Sequence, residues 1–318
     1  MRKSLLLIAA LTATPASALA QDYPNKPVRV ITALSAGGTS DVFARALGEQ
    51  FQKVTGQSMI IENRPGGGFN IAGQACGDAQ PDGYTICLLP IETLAYNQFL
   101  FKKIAFDPKS FEPITNGFYV TAGLVVNSNL NVKSLADLAA ASKAKPNTMS
   151  YMSPAVPLAY FMEVWKKESG ADIVKVPYRG GADAANAIMG GSTPVAFSGM
   201  ANFIPHVRSG GMTLLVVDTE ARSPLFPDTP TLREVGYKGP LTPAWFGYVA
   251  PKGTPKAAID KLHQVIVGIA SDKAFVERAM TNLGLIPIFN TPEQFAAFLR
   301  ENTQLAERIV KESGLEPQ

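Results

Sequence analysis

Leu34-Ser-Ala-Gly-Gly-Thr-Ser-Asp41 stands directly between the run Val28-Arg-Val-Ile-Thr-Ala-Leu34 and a stretch from Ser40 to Thr55 that carries Val42, Phe43, Ala46, Leu47 and Phe51 at helical spacing. The first run reads as a strand and the second as a helix. A strand joined to a helix by a glycine-rich turn opens an α/β sheet, and in open α/β sheets ligands sit outside the carboxyl ends of the strands. Gly37 and Gly38 let backbone approach a ligand, while Thr39, Ser40 and Asp41 cap a helix whose free N–H groups and positive dipole end point outward. The segment is therefore a candidate anion cradle formed by Ser35, Ala36, Gly37, Gly38, Thr39 and Asp41. It matches neither GxGxxG nor GxxxxGK followed by Ser or Thr, so a nucleotide is not indicated. A plain N-capped turn is the competing explanation.

Working outward, strand-like runs at 58–62 and 85–90 enclose a helix at 70–79, which completes a βαβαβ unit of the doubly wound kind. A second alternating set follows from Gly123 to Val217. After Val217 the chain turns irregular through Pro224, Pro227, Pro230, Pro240 and Pro243, then gives a strand at 245–249 and helices at 256–270, 273–283 and 292–311. Only 286–289 remains strand-like there, so these helices must cover the first sheet. The expected fold is a two-lobed α/β protein, each lobe a mainly parallel sheet flanked by helices, with a ligand cleft between the lobes. Domain 1 is discontinuous, 21–122 and 246–318; domain 2 is 123–245; two strand crossings near 123–126 and 245–249 act as hinges.

The first residues are a basic Met1-Arg-Lys, a short apolar run broken by Thr12, Thr14, Pro15 and Ser17, and a small-x-small end at Ala18-Leu-Ala20. This is the pattern of a secretory signal peptide, residues 1–20, with cleavage before Gln21; a membrane anchor needs about 20 clean apolar residues. Removing Arg2 and Lys3 from the 29 Lys and Arg leaves 27 against 26 Asp and Glu, so nucleic acid has no electrostatic footprint here. In an oxidising compartment Cys76 and Cys87 could pair if their Cα atoms lie within about 7 Å; the reading preferred is two small buried apolar residues. With two Cys, two His and no CxxC, neither a metal nor any other cofactor is expected.

With those residues in view, the mature chain resembles the solute receptors of tripartite tricarboxylate transporters, the Bug family. The resemblance is carried by Tyr23-Pro-Asn-Lys-Pro-Val28, Ala36-Gly-Gly-Thr-Ser-Asp41 with Ala44-Arg45, Glu62-Asn-Arg-Pro-Gly-Gly67 and Pro81-Asp-Gly-Tyr-Thr85. Later come Val176-Pro-Tyr-Arg-Gly180, Phe226-Pro-Asp-Thr-Pro-Thr231 with Glu234-Val-Gly236, and Trp245-Phe-Gly-Tyr-Val-Ala-Pro251 with Gly253-Thr-Pro255. It implies a monomeric periplasmic receptor, not an enzyme, that closes on a small organic acid and delivers it to membrane permease subunits. In such receptors the loop matching Ser35 to Asp41 holds a carboxylate through backbone amides and ordered water. The family's GxGSxxH-like second-lobe loop is replaced here by Ser153-Pro-Ala-Val-Pro-Leu-Ala-Tyr160. Fewer donors then face a second hydrophilic group, and a ligand more apolar or bulkier than citrate is expected, such as an aromatic or dicarboxylic acid.

Beside the cradle, the candidate ligand residues are Glu92 and Thr93 after the third strand, Ser153, Pro154, Ala155 and Val156, Arg179 with Gly180 at a helix start, and Phe197 with Ser198 ending a second-lobe strand. Each has a plainer alternative: an N-cap for Glu92-Thr93, an exposed loop arginine for Arg179. Arg64-Pro-Gly-Gly-Gly68 reads as a turn, and His206 and His263 as surface or packing residues. A hydrolase would show a GxSxG elbow with a partnered His, and a glycosidase a carboxylate pair; neither is present. A receptor feeding a two-component sensor kinase is physically the same molecule with another docking partner. Gly38→Val is expected to fill the ligand's space, disfavour a positive φ and leave the fold intact.

Overall fold

The structure, a computed structural model, describes residues 23–178, 181–239, 241, 243–313 and 317. The expected leader at 1–20, and Arg179 and Gly180, lie outside the described residues. Strand β1 (Val28–Thr32) leads through helix α1 (Thr39–Thr55) to β2 (Met59–Asn63), and α2 (Asn70–Gly77) leads to β3 (Thr85–Pro90). β1 lies between β2 and β3, parallel to both, as the helix crossovers that join them permit. A single π-type turn at Glu92–Tyr96 and the short α3 (Asn97–Leu100) follow, and then β4 (Phe111–Val120). Thr121 alone separates β4 from β5 (Ala122–Asn127), the first strand of a second sheet.

That sheet is completed along the chain by α4 (Leu135–Ala144), β6 (Ser150–Met152), α5 (Val156–Ser169), β7 (Val174–Lys175), α6 (Gly181–Met189), β8 (Val195–Gly199), α7 (Ile204–Arg208) and β9 (Met212–Val217). After an irregular stretch the chain returns as β10 (Ala244–Pro251), α8 (Lys256–Ala270), α9 (Lys273–Ala279), β11 (Leu285–Pro287) and α10 (Pro292–Ser313). The two sheets run β11-β4-β10-β3-β1-β2 and β7-β6-β8-β5-β9.

The two-lobed α/β architecture is as expected, but the sheets are mixed where mainly parallel ones were predicted. β4 runs out towards the second lobe and β10 runs back from it, so β10, inserted between β3 and β4, opposes both. β5 likewise opposes β8 and β9, while β6, β7 and β8 are parallel. No helix crossover joins the strands that pass between lobes, so nothing imposes parallel order on them.

Strand β4 is absent from the sequence reading because Pro113 and Gly117 interrupt it. Both sit at shifts of register against β10, where Ile114 and Gly117 are the extra residues, and bulges are where a sheet tolerates them. Helix α1 lays Phe43, Leu47 and Phe51 on one face of the first sheet with Val28, Val30 and Phe118, and α8 adds Ile259, Leu262 and Ile266. Each such side chain contributes roughly 1.5–3 kcal/mol by leaving water. The opposite face buries Ala72, Cys76, Leu89 and Trp245 under α10 through Phe295 and Ile309.

Cys76 and Cys87 are bonded to one another, with Cα atoms 6.1 Å apart. The preferred reading of two free thiols is corrected: α2 lies directly on β3, which brings the end of one against the middle of the other.

Candidate functional site

Because β1 and β3 are neighbours, with Thr32 beside Leu88, the segments that follow them emerge side by side at one edge of the first sheet. After β1 the chain makes a tight turn: Gly38 N–H donates to the Ser35 carbonyl at 3.0 Å, and Gly37 adopts a left-handed φ of +79°. Gly37 N–H donates to Asp41 Oδ2 at 2.9 Å, and Arg45 Nε donates to the same oxygen at 3.0 Å. Asp41 is buried. Burial alone would raise its pKa, but hydrogen bonds from Arg45, the Gly37 N–H and Asn63 outweigh it and hold the carboxyl below the usual range. Asn63 also donates to the Leu34 carbonyl at 2.9 Å, and the Thr32 and Ser40 hydroxyls share a 2.7 Å hydrogen bond.

Asp41 is thus the anchor of the turn; its carboxylate is spent on Gly37 and Arg45. Ser35 is half-buried, Ala36 and Gly37 are exposed, and Thr39 is buried. They present backbone at the mouth of α1, whose first-turn N–H groups have no carbonyl partner one turn back. The positive φ belongs to Gly37, not to Gly38 (φ −71°) as expected. A Cβ on Gly38 would lie 3.0 Å from the Ser35 carbonyl oxygen and 3.1 Å from Leu34 Cβ, whereas one on Gly37 would meet nothing within 4 Å. Gly38→Val therefore distorts the turn itself, which corrects the expectation that it would only fill the cleft.

After β3, Glu92 and Thr93 are both buried. Thr93 Oγ1 donates to the Phe69 carbonyl at 3.3 Å, and Asn97 donates to the Gly68 carbonyl at 2.8 Å. Together they hold a left-handed turn in which Gly66, Gly67, Gly68 and Phe69 all have positive φ. Thr93 is therefore a fixing point for the Arg64–Gly68 turn, its hydroxyl proton being used on the Phe69 carbonyl and its acceptor lone pairs being left over.

Glu92 faces the other lobe. Its carboxylate accepts hydrogen bonds from its own N–H and from the N–H of Val156, the first residue of α5, yet burial dominates and pushes it up to about 7. The Val156 side chain packs against the first lobe's core. Two predicted site residues from distant parts of the chain thus meet across the lobes.

In the second sheet β6 and β8 are parallel neighbours with Met152 beside Ala196, which sets Ser153 and Phe197-Ser198 at one sheet end. Ser153 is 2% exposed and its hydroxyl has no partner among the described residues. Pro154 is exposed and Ala155 occupies the cap position of α5. Ser198 is buried opposite Gly123 of β5. The Phe197 ring instead belongs to the second core, edge-on to Phe161 at 5.4 Å.

Sequence reasoning passed over Asp218. It directly follows β9, beside the Thr121 crossing: its Oδ1 accepts the Ala122 N–H at 2.7 Å, its own N–H donates to the Ala122 carbonyl at 3.0 Å, and Oδ2 has no partner among the described residues. Burial pushes its carboxyl up to about 7. The available signal was a lone acid closing the apolar run Leu214-Leu-Val-Val217. Among the described residues no three His, Cys, Asp or Glu could hold a metal together, and no helix is long and apolar enough to cross a membrane. What the arrangement sets out is an exposed backbone turn at a helix start on one lobe and, on the other, a helix start whose Val156 packs on the first lobe's core, preceded by the buried Ser153 hydroxyl.

Residues 43–315 match the sequence profile of the tripartite tricarboxylate transporter family receptor. The chain is 32% identical to protein BugT of Bordetella pertussis over 95% of its length and 93% of that protein. Among solved structures, periplasmic binding protein BugD superposes with a TM-score of 0.86 at 29% identity, over 93% of this chain and all of that one. R. palustris Rpa4515 with adipate gives 0.87 at 26% identity, over 93% of this chain and 100% of that one. MatC from Rhodopseudomonas palustris with bound malate gives 0.81 at 27% identity, over 91% and 100%.

Proposed function

The chain belongs to the tripartite tricarboxylate transporter family of receptors, and on that premise we propose that it is an exported two-lobed receptor that captures an organic acid between its lobes. The observation that carries this reading is the β1–α1 turn. Its exposed backbone is locked by Asp41 and Arg45 and opens at the mouth of a 17-residue helix, a geometry that stabilises a carboxylate through N–H groups and the helix dipole. The adipate and malate held by Rpa4515 and MatC support the same ligand class. The proposed ligand contacts are the Ser35–Thr39 backbone, Ser153 and Ser198; Arg179 and Gly180 remain candidates outside the described residues.

Residues 1–20 are the proposed export leader, giving a monomeric periplasmic protein from Gln21. Its lobes, 21–122 with 246–318 and 123–245, swing about the Thr121 crossing and the return into β10. The closed, loaded form is what membrane permease subunits of a tripartite transporter would recognise, since ligand shifts the open–closed equilibrium only by its differential affinity. Titration calorimetry of the mature protein against carboxylates, sugars and cationic amines tests the reading. Carboxylates should bind and the others should not; binding of sugars or amines with no response to any carboxylate would overturn it.

A further inference from the structure

The two sheets keep separate apolar cores. The clusters on the first sheet are built from that sheet with its own helices and loops, and those on the second likewise; among the described residues Val156 alone crosses over. It is the first residue of α5, a second-lobe helix, and it packs half-buried against the first-lobe cluster that holds Leu89, Trp245 and Phe295. The lobes also touch beside the Thr121 crossing, where a Cβ on Gly199 would lie 2.7 Å from Val120 Cγ1 and one on Gly284 would lie 3.5 Å from Met200 Cβ. Those contacts sit at the proposed pivot, and Val156 does not. It follows β6, which β8 separates from β5, so it stands two strand spacings, roughly 10 Å, from the crossing. Opening by roughly 10° about that crossing draws it off by roughly 2 Å, and a gap of about 1 Å already forfeits up to half of a dispersion contact.

We propose that Val156 is an apolar latch: its contact with the first lobe exists only while the lobes are together, so it weights the closed form and slows release of the ligand without touching it. The inference rests on the reading that the lobes close on an organic acid. Release requires opening, so a side chain that favours the closed form slows the release of every ligand by one common factor. A side chain lining the ligand's own surface behaves otherwise, because its effect grows with the apolar area it covers on that ligand.

Stopped-flow release and calorimetry of wild type and Val156→Ala, with butyrate, adipate and benzoate, decide between the two. Alanine is the better helix former, and the urea midpoint checks that the variant is folded. For each acid that binds, V156A should release it about three- to tenfold faster, by the same factor whatever the body of the acid. Release unchanged within about twofold, or a rise that grows with the acid's apolar area, would overturn the latch while leaving the organic-acid reading standing. Failure of every acid with both forms, alongside binding of a sugar or an amine, would remove the organic-acid reading; the release rates of that ligand from the two forms then decide the latch by the same criterion.

Discussion

Asp41 holds the β1–α1 turn in place, because one carboxylate oxygen takes both the Gly37 N–H and Arg45 Nε. Asp41→Asn keeps the acceptor and loses the charge-assisted pair. Its partner Arg45 is half exposed and returns to water, so the stability cost should be about 1–2 kcal/mol. Carboxylate affinity should fall about tenfold or more as the turn loosens; urea unfolding and calorimetry on the same variant separate the two effects. Glu92 and Asp218 make a different prediction, because burial pushes both carboxyls up to about 7 from ordinary values of 4.5 and 3.8. Between those values the folded chain binds more protons than the unfolded one, so stability is greatest at the acid end and falls as pH rises through about 5 to 7. Each group accounts for roughly 3 kcal/mol over that window. Thermal unfolding should show this fall, and Asp218→Asn, whose amide oxygen still accepts the Ala122 N–H, should make it shallower; an unchanged slope would refute the assignment. Of these residues only Asp218 was illegible in the sequence, since a single acid after a strand carries no spacing signal.

At the scale of elements, the turns and helices with strong local chemistry were legible, and the features that depend on pairing were not. The β3 strand and helix α8 have the boundaries that their apolar spacing predicted, while β4 is a long strand that Pro113 and Gly117 disguise and that bulges against β10 to accommodate them. That Thr93 serves the Phe69 carbonyl is visible only in the folded turn at Gly66–Phe69. The Cys76–Cys87 bond is a third case: it exists because α2 packs on β3, a tertiary fact. It closes a short loop, with a sequence separation of 11, and loop-closure entropy sets its worth at about 3 kcal/mol. Replacing both cysteines by Ala should therefore lower the urea midpoint, and a reductant should lower wild type towards the variant while leaving the variant unmoved.

For the molecule as a whole, the two lobes share no sheet and are joined by β4 passing through Thr121 into β5 and by the return from β9 to β10. Thr121 N–H donates to the Gly284 carbonyl of the first lobe at 2.8 Å, and its own carbonyl accepts the Met200 N–H of the second at 3.0 Å, so the crossing is held from both sides at one residue. The two-lobed plan was legible because helices α8 to α10 had no other sheet to cover. The mixed strand order was not, because direction follows from the crossings rather than from local pattern. On the proposed reading, the lobes swing about the crossing beside Asp218 and trap an acid by closing on it. Small-angle X-ray scattering of the mature protein, recorded with and without a saturating carboxylate identified by calorimetry, tests that closure directly. The account predicts a smaller radius of gyration and maximum dimension with the acid bound; unchanged scattering at full occupancy would contradict it.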